Sequence, residues 1–355
     1  MKKFFSLFLP GLAIVALLIS GCSGSQTASN NNNVVRIVQV NPPDMSQKMD
    51  AGEIDAFIAW EPFNAREVLG KQGQYLVQSA DIWPGHPCCV LAAADSLEDP
   101  SVTRALVWSH IKATEFINNP ANKDKVLKYA REFTGQDDAV LEEALSHIKY
   151  VKYPNNEQFR NYYLNLKDSG VLKKSYSDLG YQSEDRFMSD FLDSAVYEQV
   201  MSKLSQEPNW VPAPVSGETK VKLGFISRDL HELAVYVAKQ EGYYSAVGLV
   251  PGKNLEVKEY LNGVAVMEAF KVKELDASYL GGAPATMKRV NDNIKVRVIA
   301  GANDEGSAIV TRKDSRINSI SDLAGKVVAV PAIGTVQYSV LDMALKKEGL
   351  KPVLQ

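Results

Sequence analysis

The sequence predicts an α/β protein with two lobes, each a helix-covered, mainly parallel sheet. Two stretches, residues 34–95 and 220–355, alternate short β-branched or apolar runs with amphipathic runs. Such alternation places parallel strands beneath helices. The length of 355 residues exceeds a typical single domain, so two lobes are expected.

The composition is that of an ordinary globular protein. Apolar residues make up 45% of the chain, charged residues 23%, and the formal net charge is −3. These values argue against a disordered chain and against a multi-span membrane protein. The slight acidity argues against nucleic acid as a partner, because a polyanion binder normally carries a basic surplus.

The first residues have the pattern of an export signal. Lys2 and Lys3 precede an apolar run over residues 4–19, and residues 18–22 (Leu-Ile-Ser-Gly-Cys) resemble the lipobox of prokaryotic lipoproteins. We therefore predict a signal peptide over residues 1–21, lipid attachment at Cys22, and a flexible polar tether over residues 22–33. The alternatives are a plain membrane anchor and an ordinary secretory signal. A lipid anchor would hold the protein on the extracytoplasmic face of the cell membrane.

In the first α/β stretch, a β-branched run predicts a strand over residues 34–40. Asp44 is a plausible N-cap for a short helix over residues 45–51. A buried strand follows over residues 54–60, and Pro62 opens the next helix, because proline suits the first helical turn. The further strands of this stretch are predicted over residues 74–79 and 88–94.

Between the two α/β stretches the pattern is helical. Amphipathic runs occupy most of residues 100–204. Pro208, Pro212, Pro214 and Gly217 then exclude a helix and mark a boundary.

The second α/β stretch repeats the alternation of strands and helices. Its strands are predicted over residues 221–226, 254–259, 275–279, 295–300 and 326–331. Its helices are predicted over residues 230–241, 265–272, 284–290 and 335–348.

Three strand-to-helix junctions are candidate ligand sites, because ligands of such sheets bind beyond the carboxyl ends of strands. Gly281, Gly282 and Ala283 form one junction, where the backbone can approach a ligand closely. Gly334 and Thr335 form another. Free N–H groups at helix N-termini favour anions. The alternative is that these glycines serve only the turns.

Trp60 and Glu61 form the third junction and offer an aromatic face and a carboxylate. The loop over residues 227–232 is a fourth such place and carries His231 as a candidate. Asp229 in that loop is equally consistent with an N-cap.

Cys88 and Cys89 are adjacent, and adjacent residues of a strand point to opposite faces, so a disulfide between them would be strained. The sequence has no zinc-type Cys/His spacing. We predict no metal, no cofactor and no catalytic residue.

Several longer motifs resemble the nitrate/sulfonate/taurine class of ABC-importer substrate-binding proteins. Residues 220–350 resemble the amino-terminal half of these proteins, and residues 35–133 resemble the later half. The motifs that carry the resemblance are Leu-His-Glu-Leu-Ala (230–234), Gly-Tyr-Tyr (242–244), Leu-Gly-Gly-Ala-Pro-Ala (280–285), Gly-Ser-Ala-Ile-Val (306–310), Asp-Leu-Ala-Gly-Lys-Val-Val-Ala-Val-Pro (322–331), Gly-Glu-Ile-Asp-Ala (52–56) and Trp-Glu-Pro (60–62).

The two halves stand in the opposite order to that family, so the resemblance implies a circular permutation. A gene-assembly artefact would leave the same trace. The implied division is a signal peptide (1–21), a tether (22–33), the first part of lobe two (34–86), a hinge strand with the helical part of lobe one (87–207), a linker joining the ancestral termini (208–219), lobe one (220–305) and a hinge strand with the rest of lobe two (306–355).

The resemblance further implies a monomeric receptor that binds a small ligand between closing lobes and delivers it to an ABC permease and its ATPase. The ligand positions carried over are Gly281, Gly282, Ala283, Gly334, Thr335, Trp60, Glu61 and His231. Backbone-rich helix ends favour a small oxyanion, whereas Glu61 in the cleft would favour a cationic or zwitterionic ligand.

Two other functions remain open at this stage. Pyrimidine-precursor synthases of thiamine biosynthesis share the fold and carry a cysteine-rich motif, with which residues 86–89 (His-Pro-Cys-Cys) invite comparison. An extracellular sensor module of the same fold is the other alternative.

Overall fold

A computed structural model describes residues 33–70 and 72–355. Its strands are β1 (Val34–Gln39), β2 (Ala56–Trp60), β3 (Gly73–Gln78), β4 (Cys89–Ala94), β5 (Ile148–Tyr150), β6 (Val221–Ile226), β7 (Leu255–Tyr260), β8 (Ala277–Gly281), β9 (Val296–Gly301), β10 (Asn303–Glu305), β11 (Ser307–Arg312), β12 (Val327–Val330) and β13 (Lys351–Leu354). The predicted signal peptide, the lipid site at Cys22 and nearly all of the tether lie outside the described residues.

The helices are spread along the whole described chain. They are α1 (Pro42–Asp50), α2 (Phe63–Gly70), α3 (Ser79–Ile82), α4 (Pro100–Asn118), α5 (Lys123–Thr134), α6 (Asp138–Ser146), α7 (Asn156–Asp168), α8 (Glu184–Phe191), α9 (Ala195–Gln206), α10 (Leu233–Gln240), α11 (Tyr243–Ala246), α12 (Gly263–Lys271), α13 (Gly282–Asp292) and α14 (Val336–Lys347). Short 3-10 helices occupy Pro120–Asn122, Ser177–Leu179, Leu230–Glu232 and Ile320–Leu323.

Two sheets define two lobes. Lobe one contains a five-stranded sheet of order β7-β6-β8-β4-β9, and lobe two contains a six-stranded sheet of order β13-β1-β12-β2-β11-β3. Helices α10, α12 and α13 belong to lobe one, whereas α1, α2 and α14 pack on the strands of lobe two. The predicted α/β class with two helix-covered sheets is confirmed.

Each sheet also contains one strand that runs against its neighbours. β4 pairs antiparallel with both β8 and β9, and β11 pairs antiparallel with both β2 and β3. Each is the strand that the chain forms on arriving from the other lobe, so it enters its sheet from the opposite end. The remaining pairs of both sheets are parallel, and lobe one is therefore more mixed than the predicted mainly parallel sheet.

The two crossings between the lobes run side by side and are tied together at Asn303. The Asn303 backbone carbonyl accepts a hydrogen bond from Cys88 N (2.8 Å), and its side-chain Oδ1 accepts one from Cys89 N (3.0 Å). Its Nδ2 donates to Glu305 O at 3.1 Å. A single buried amide thus fixes both crossings to one another.

Local sequence explains where the helices of lobe two begin. Helix α14 begins after Thr335, whose Oγ1 accepts a hydrogen bond from Tyr338 N at 3.3 Å, as an N-cap residue does. Helix α1 begins earlier than predicted, with Asn41 at the cap position and Pro42 in the first turn. Asp44 instead lies in the first turn, where a carboxylate complements the helix dipole.

The core is continuous through both lobes and consists mainly of strand residues and the helix faces that pack on them. Strands β2 and β4 are buried along their whole length, as central strands covered on both faces should be. Within the described ranges, every helix is too short or too polar to cross a membrane.

Candidate ligand-binding site between the lobes

A narrow cavity lies between the two lobes at the carboxyl ends of strands from both sheets. It is lined by Trp60, Cys88, Cys89, Ile226, Asp229, Gly263, Gly281, Pro284, Thr335, Val336 and Gln337. The space open to the centre of a water molecule is about 10 Å³, which is room for about one water. A larger ligand therefore requires the lobes to separate first.

Three helices begin at this cavity. Gly263 is the first residue of α12, Gly281 precedes α13, and Thr335 precedes α14. Helices α13 and α14 belong to different lobes, yet a methyl group added at Gly281 would lie 3.2 Å from Val336 Cγ2. The positive ends of these helix dipoles thus converge on one small volume.

The Trp60 side chain supplies a free donor in the cavity lining. Trp60 ends β2 and is only 4% exposed, and its indole Nε1–H is buried without a hydrogen-bond partner. A buried donor left unpaired costs about 1–3 kcal/mol, so an acceptor atom of a ligand would be favoured there.

Trp60, Gly281 and Thr335 are thus the predicted positions that the structure brings together in the lining. Gly282 and Ala283 lie one residue further along, in the first turn of α13, and the Gly282 N–H already donates to Cys88 O at 2.8 Å. Gly334 has a φ of +80° and is covered by the Met287 thioether. These three residues shape the junctions but do not line the cavity.

Glu61 is also absent from the lining, because its carboxylate is used within the protein. Its Oε1 accepts a hydrogen bond from His147 Nδ1 at 2.9 Å, and its Oε2 accepts one from Ala65 N at 3.0 Å. Glu61 belongs to lobe two, whereas His147 follows α6 in the helical part between the two α/β stretches, and α6 packs against α2. The carboxylate therefore joins this helical part to lobe two, and it does not face a ligand.

This contact makes stability dependent on pH. Burial would lower the pKa of His147, but the hydrogen bond and charge of Glu61, with Glu143, raise it above its ordinary value. The Tyr75 ring and the Gln78 amide complete its surroundings. Because the folded-state pKa is raised, the stabilisation is complete below about pH 6.5 and is lost as the pH rises through the folded-state value.

We therefore expect wild-type protein to lose more stability between pH 6 and pH 9 than His147→Gln does. Free energies of unfolding from urea denaturation at both pH values measure the difference. All other titrating groups are common to the two proteins and cancel. An equal loss in both proteins would contradict a stabilising Glu61–His147 pair.

His231 is completely buried beside the cavity and contacts a cysteine. Its Nδ1 lies 3.2 Å from Cys88 Sγ, and its Nε2 lies 2.8 Å from Gly306 O. Burial would lower the pKa of His231, but Cys88 and Asp229 outweigh it and raise the pKa to about 9. Burial would raise the pKa of Cys88, but a hydrogen bond from Cys89 and the charge of His231 hold it well below its usual range.

Eight of the eleven lining residues were not predicted as site residues, and four of these eight carry a thiol, carboxylate or amide: Cys88, Cys89, Asp229 and Gln337. Asp229 is indeed an N-cap, since its Oδ1 accepts a hydrogen bond from His231 N at 3.0 Å. The expectation that the cysteines point to opposite faces fails because β4 begins at Cys89, so Cys88 precedes the strand. The adjacent cysteines were the available signal, but the histidine they contact is 143 positions away.

Comparisons with known proteins agree with this architecture. Residues 19–131 match the model of the NMT1-like family, and residues 231–353 match the model described as NMT1/THI5 like. Together these segments cover about two thirds of the chain. Each of these two related family models matches about a third of the chain.

Named proteins that are similar to segments of this chain include transport proteins. It is 32% identical over 108 residues to the nitrate/nitrite binding protein NrtA of Synechococcus elongatus, covering 30% of this chain and 24% of the relative. It is 31% identical over 109 residues to the nitrate import ATP-binding protein NrtC of Synechocystis, covering 30% of this chain and 16% of the relative. It is 30% identical over 102 residues to the taurine-binding periplasmic protein of Escherichia coli, covering 28% of this chain and 31% of the relative.

The matched region is thus less than a third of each of these relatives. The similarity supports kinship with nitrate- and taurine-type substrate-binding proteins. What the whole chain binds is a separate question.

Proposed function

We propose that the protein is the extracytoplasmic solute-binding component of an ABC importer that captures a small oxyanion between its lobes. The observation that carries this proposal is the cavity where three helix N-termini meet the unpartnered Trp60 N–H. Helix N-termini and a free N–H are donors that complement a nitrate-, sulfonate- or carboxylate-type group. The names of the nitrate- and taurine-binding relatives support the same ligand class.

The proposal assigns ligand contact to Trp60, Gly281 and Thr335, which line the cavity, while Gly282, Ala283 and Gly334 shape its junctions. It assigns no catalytic role. It includes delivery of the ligand to a permease with its ATPase, in keeping with the ATP-binding relative. It also includes a lipid anchor at Cys22, which would keep the receptor beside that permease.

A thermal-shift screen against nitrate, bicarbonate, aliphatic sulfonates, taurine and thiamine precursors tests the ligand class. A ligand at about a hundred times its Kd adds about 2.7 kcal/mol of stability. We expect a selective, saturable shift with an oxyanion. A shift with cationic thiamine precursors alone would contradict the proposed ligand class.

We expect Trp60→Phe to weaken binding of that oxyanion about fivefold, because the ring remains and one hydrogen bond of about 1 kcal/mol is lost. Titration calorimetry on both proteins measures the change. Trp108→Phe is the matched control, since Trp108 Nε1 donates to Trp210 O at 2.9 Å in lobe one, away from the cavity lining. Equal weakening in both variants would argue against ligand contact by Trp60.

The permuted order of the halves is part of the proposal. Strand β13 pairs in parallel with β1, and Val34 lies opposite Lys351. A chain leaving α14 could therefore enter β1 through a short connection, as the family order requires. Such rearrangements are tolerated where the joined ends are close together.

A rearranged gene tests this order directly. A chain that begins at Lys220, continues from Gln355 into Val34 and ends before Pro208 should fold cooperatively and show the same ligand shift. An unfolded product would contradict a circular permutation.

A further inference from the structure

Five side chains that bind metals in other proteins meet beside the cavity. Cys88, Cys89 and His231 place one ligand atom each within 4.8 Å of one another, and Cys89, Asp229 and Glu232 do the same. All five residues are at most 3% exposed. The cysteines come from the start of β4, and the other three come from the turn that follows β6.

The spacing within one of these sets, Cys88, Cys89 and His231, suits one tetrahedral ion, whereas Asp229 belongs to the neighbouring set with Cys89 and Glu232. Zinc lies about 2.3 Å from thiolate sulfur and about 2.0–2.1 Å from imidazole nitrogen, so ligand atoms around one ion lie about 3.6 Å apart. Cys88 Sγ and His231 Nδ1 are 3.2 Å apart, and Cys89 Sγ and Asp229 Oδ2 are 3.9 Å apart. His231 Nδ1 and Asp229 Oδ1 are 3.6 Å apart.

The Gly306 carbonyl orients the His231 imidazole in the way that metal sites require. The Gly306 carbonyl can only accept a hydrogen bond, so His231 Nε2 is the protonated nitrogen that donates to it at 2.8 Å. In the neutral ring, Nδ1 is then the unprotonated nitrogen and faces Cys88 Sγ. Metal-ligating histidines typically donate their other N–H to such a carbonyl.

Charge within the cluster is unbalanced. Four groups that become anionic on losing a proton share a buried volume with one imidazole. Glu232 Oε2 accepts a hydrogen bond from Ile226 N at 2.6 Å, but Glu232 Oε1 is buried without a hydrogen-bond partner. Unpaired buried carboxylate oxygens are costly, and a cation is the partner that would satisfy several of them at once.

We propose that Cys88, Cys89 and His231 bind one thiophilic divalent cation of the Zn²⁺ type, with Asp229 and Glu232 as adjacent carboxylates. Binding forms two metal–sulfur bonds and one metal–nitrogen bond, and it releases to solvent the protons that the two thiols and His231 Nδ1 hold in the metal-free protein. No change of oxidation state is involved. The proposal stands on this cluster alone and does not depend on the identity of the solute.

Cobalt is the probe, because thiolate-bound Co²⁺ absorbs in the near ultraviolet and Zn²⁺ displaces it. In a Cys22→Ser background, Cys88 and Cys89 are the only thiols of the chain. Reduced, metal-free protein is titrated with Co²⁺ without oxygen. We expect one Co²⁺ per chain, a thiolate-to-cobalt band, loss of the band with Zn²⁺, and a higher melting temperature.

Variants separate a metal site from a merely structural cluster. We expect the double variant Cys88→Ser, Cys89→Ser to weaken Co²⁺ binding by about 100-fold or more, with the band absent. We expect Asp229→Asn to weaken it by about tenfold, as loss of a neighbouring carboxylate does. His147→Gln is the control histidine change and should bind one Co²⁺ with the band intact. Circular dichroism confirms that each variant is folded.

Two results would overturn the proposal. One is folded, fully reduced protein that binds no Co²⁺. The other is a Co²⁺ affinity that is unchanged in the double cysteine variant, because the ion would then lie elsewhere. Neither result bears on the oxyanion screen, which uses metal-free buffers.

Discussion

We expect Gly306→Ala to lower the free energy of unfolding by about 3 kcal/mol or more. Gly306 lies at the second crossing with a φ of +83°, which costs an alanine about 1–2 kcal/mol. The new methyl group would also overlap His231 Nε2. His231 cannot move aside cheaply, because it is fully buried and held between Cys88 and the Gly306 carbonyl.

Gly325→Ala is the matched control. Gly325 also has a positive φ, +77°, but an added methyl group would meet no atom within 4 Å. Its expected cost is the backbone strain alone, about 1–2 kcal/mol. Urea denaturation of the three proteins measures both changes. Equal losses in the two variants would mean that the packing of His231 on Gly306 is looser than the structure shows.

We expect Asn303→Ala to lower the free energy of unfolding by about 3 kcal/mol. The Asn303 side chain is fully buried and joins the two crossings through Cys89 N and Glu305 O. Its removal leaves the Cys89 N–H without its partner and opens a small void. Because the crossings are the hinge between the lobes, the variant should also bind its solute more weakly.

Asn262→Ala provides the comparison for a loss of side-chain hydrogen bonds that do not join the crossings. Asn262 caps α12 by accepting from Val264 N and Ala265 N. Loss of such a cap costs about 1 kcal/mol. If Asn303→Ala is no more costly than Asn262→Ala, water replaces the lost amide at the hinge.

Much of the fold could be predicted from local sequence. The alternation of strands and helices identified both sheets, and Thr335 was placed correctly as the N-cap of α14. Short strands such as β5 and β10 were not predicted, because three residues carry too little periodicity to distinguish a strand from a loop. The antiparallel direction of β4 and β11 was not predicted either, because it depends on the path that the chain takes between the lobes.

The site was predicted less completely, and the reason is physical. A strand end, a glycine turn and a helix N-terminus are local features, so neighbouring residues in the sequence were enough to select Trp60, Gly281 and Thr335, which line the cavity. Whether a side chain is free to meet a ligand depends on partners far along the chain. Glu61 is occupied by His147, which lies 86 positions away.

The sequence by itself determined the α/β class, the order of the longer elements and the N-cap of α14, because periodicity and capping act over a few residues. Only the tertiary structure decided that Cys88 and Cys89 meet His231 and Asp229. That meeting depends on β4 entering lobe one beside β8 and on the turn after β6 reaching the same sheet edge. Contacts between elements so far apart are set by sheet order and packing, which local patterns do not contain.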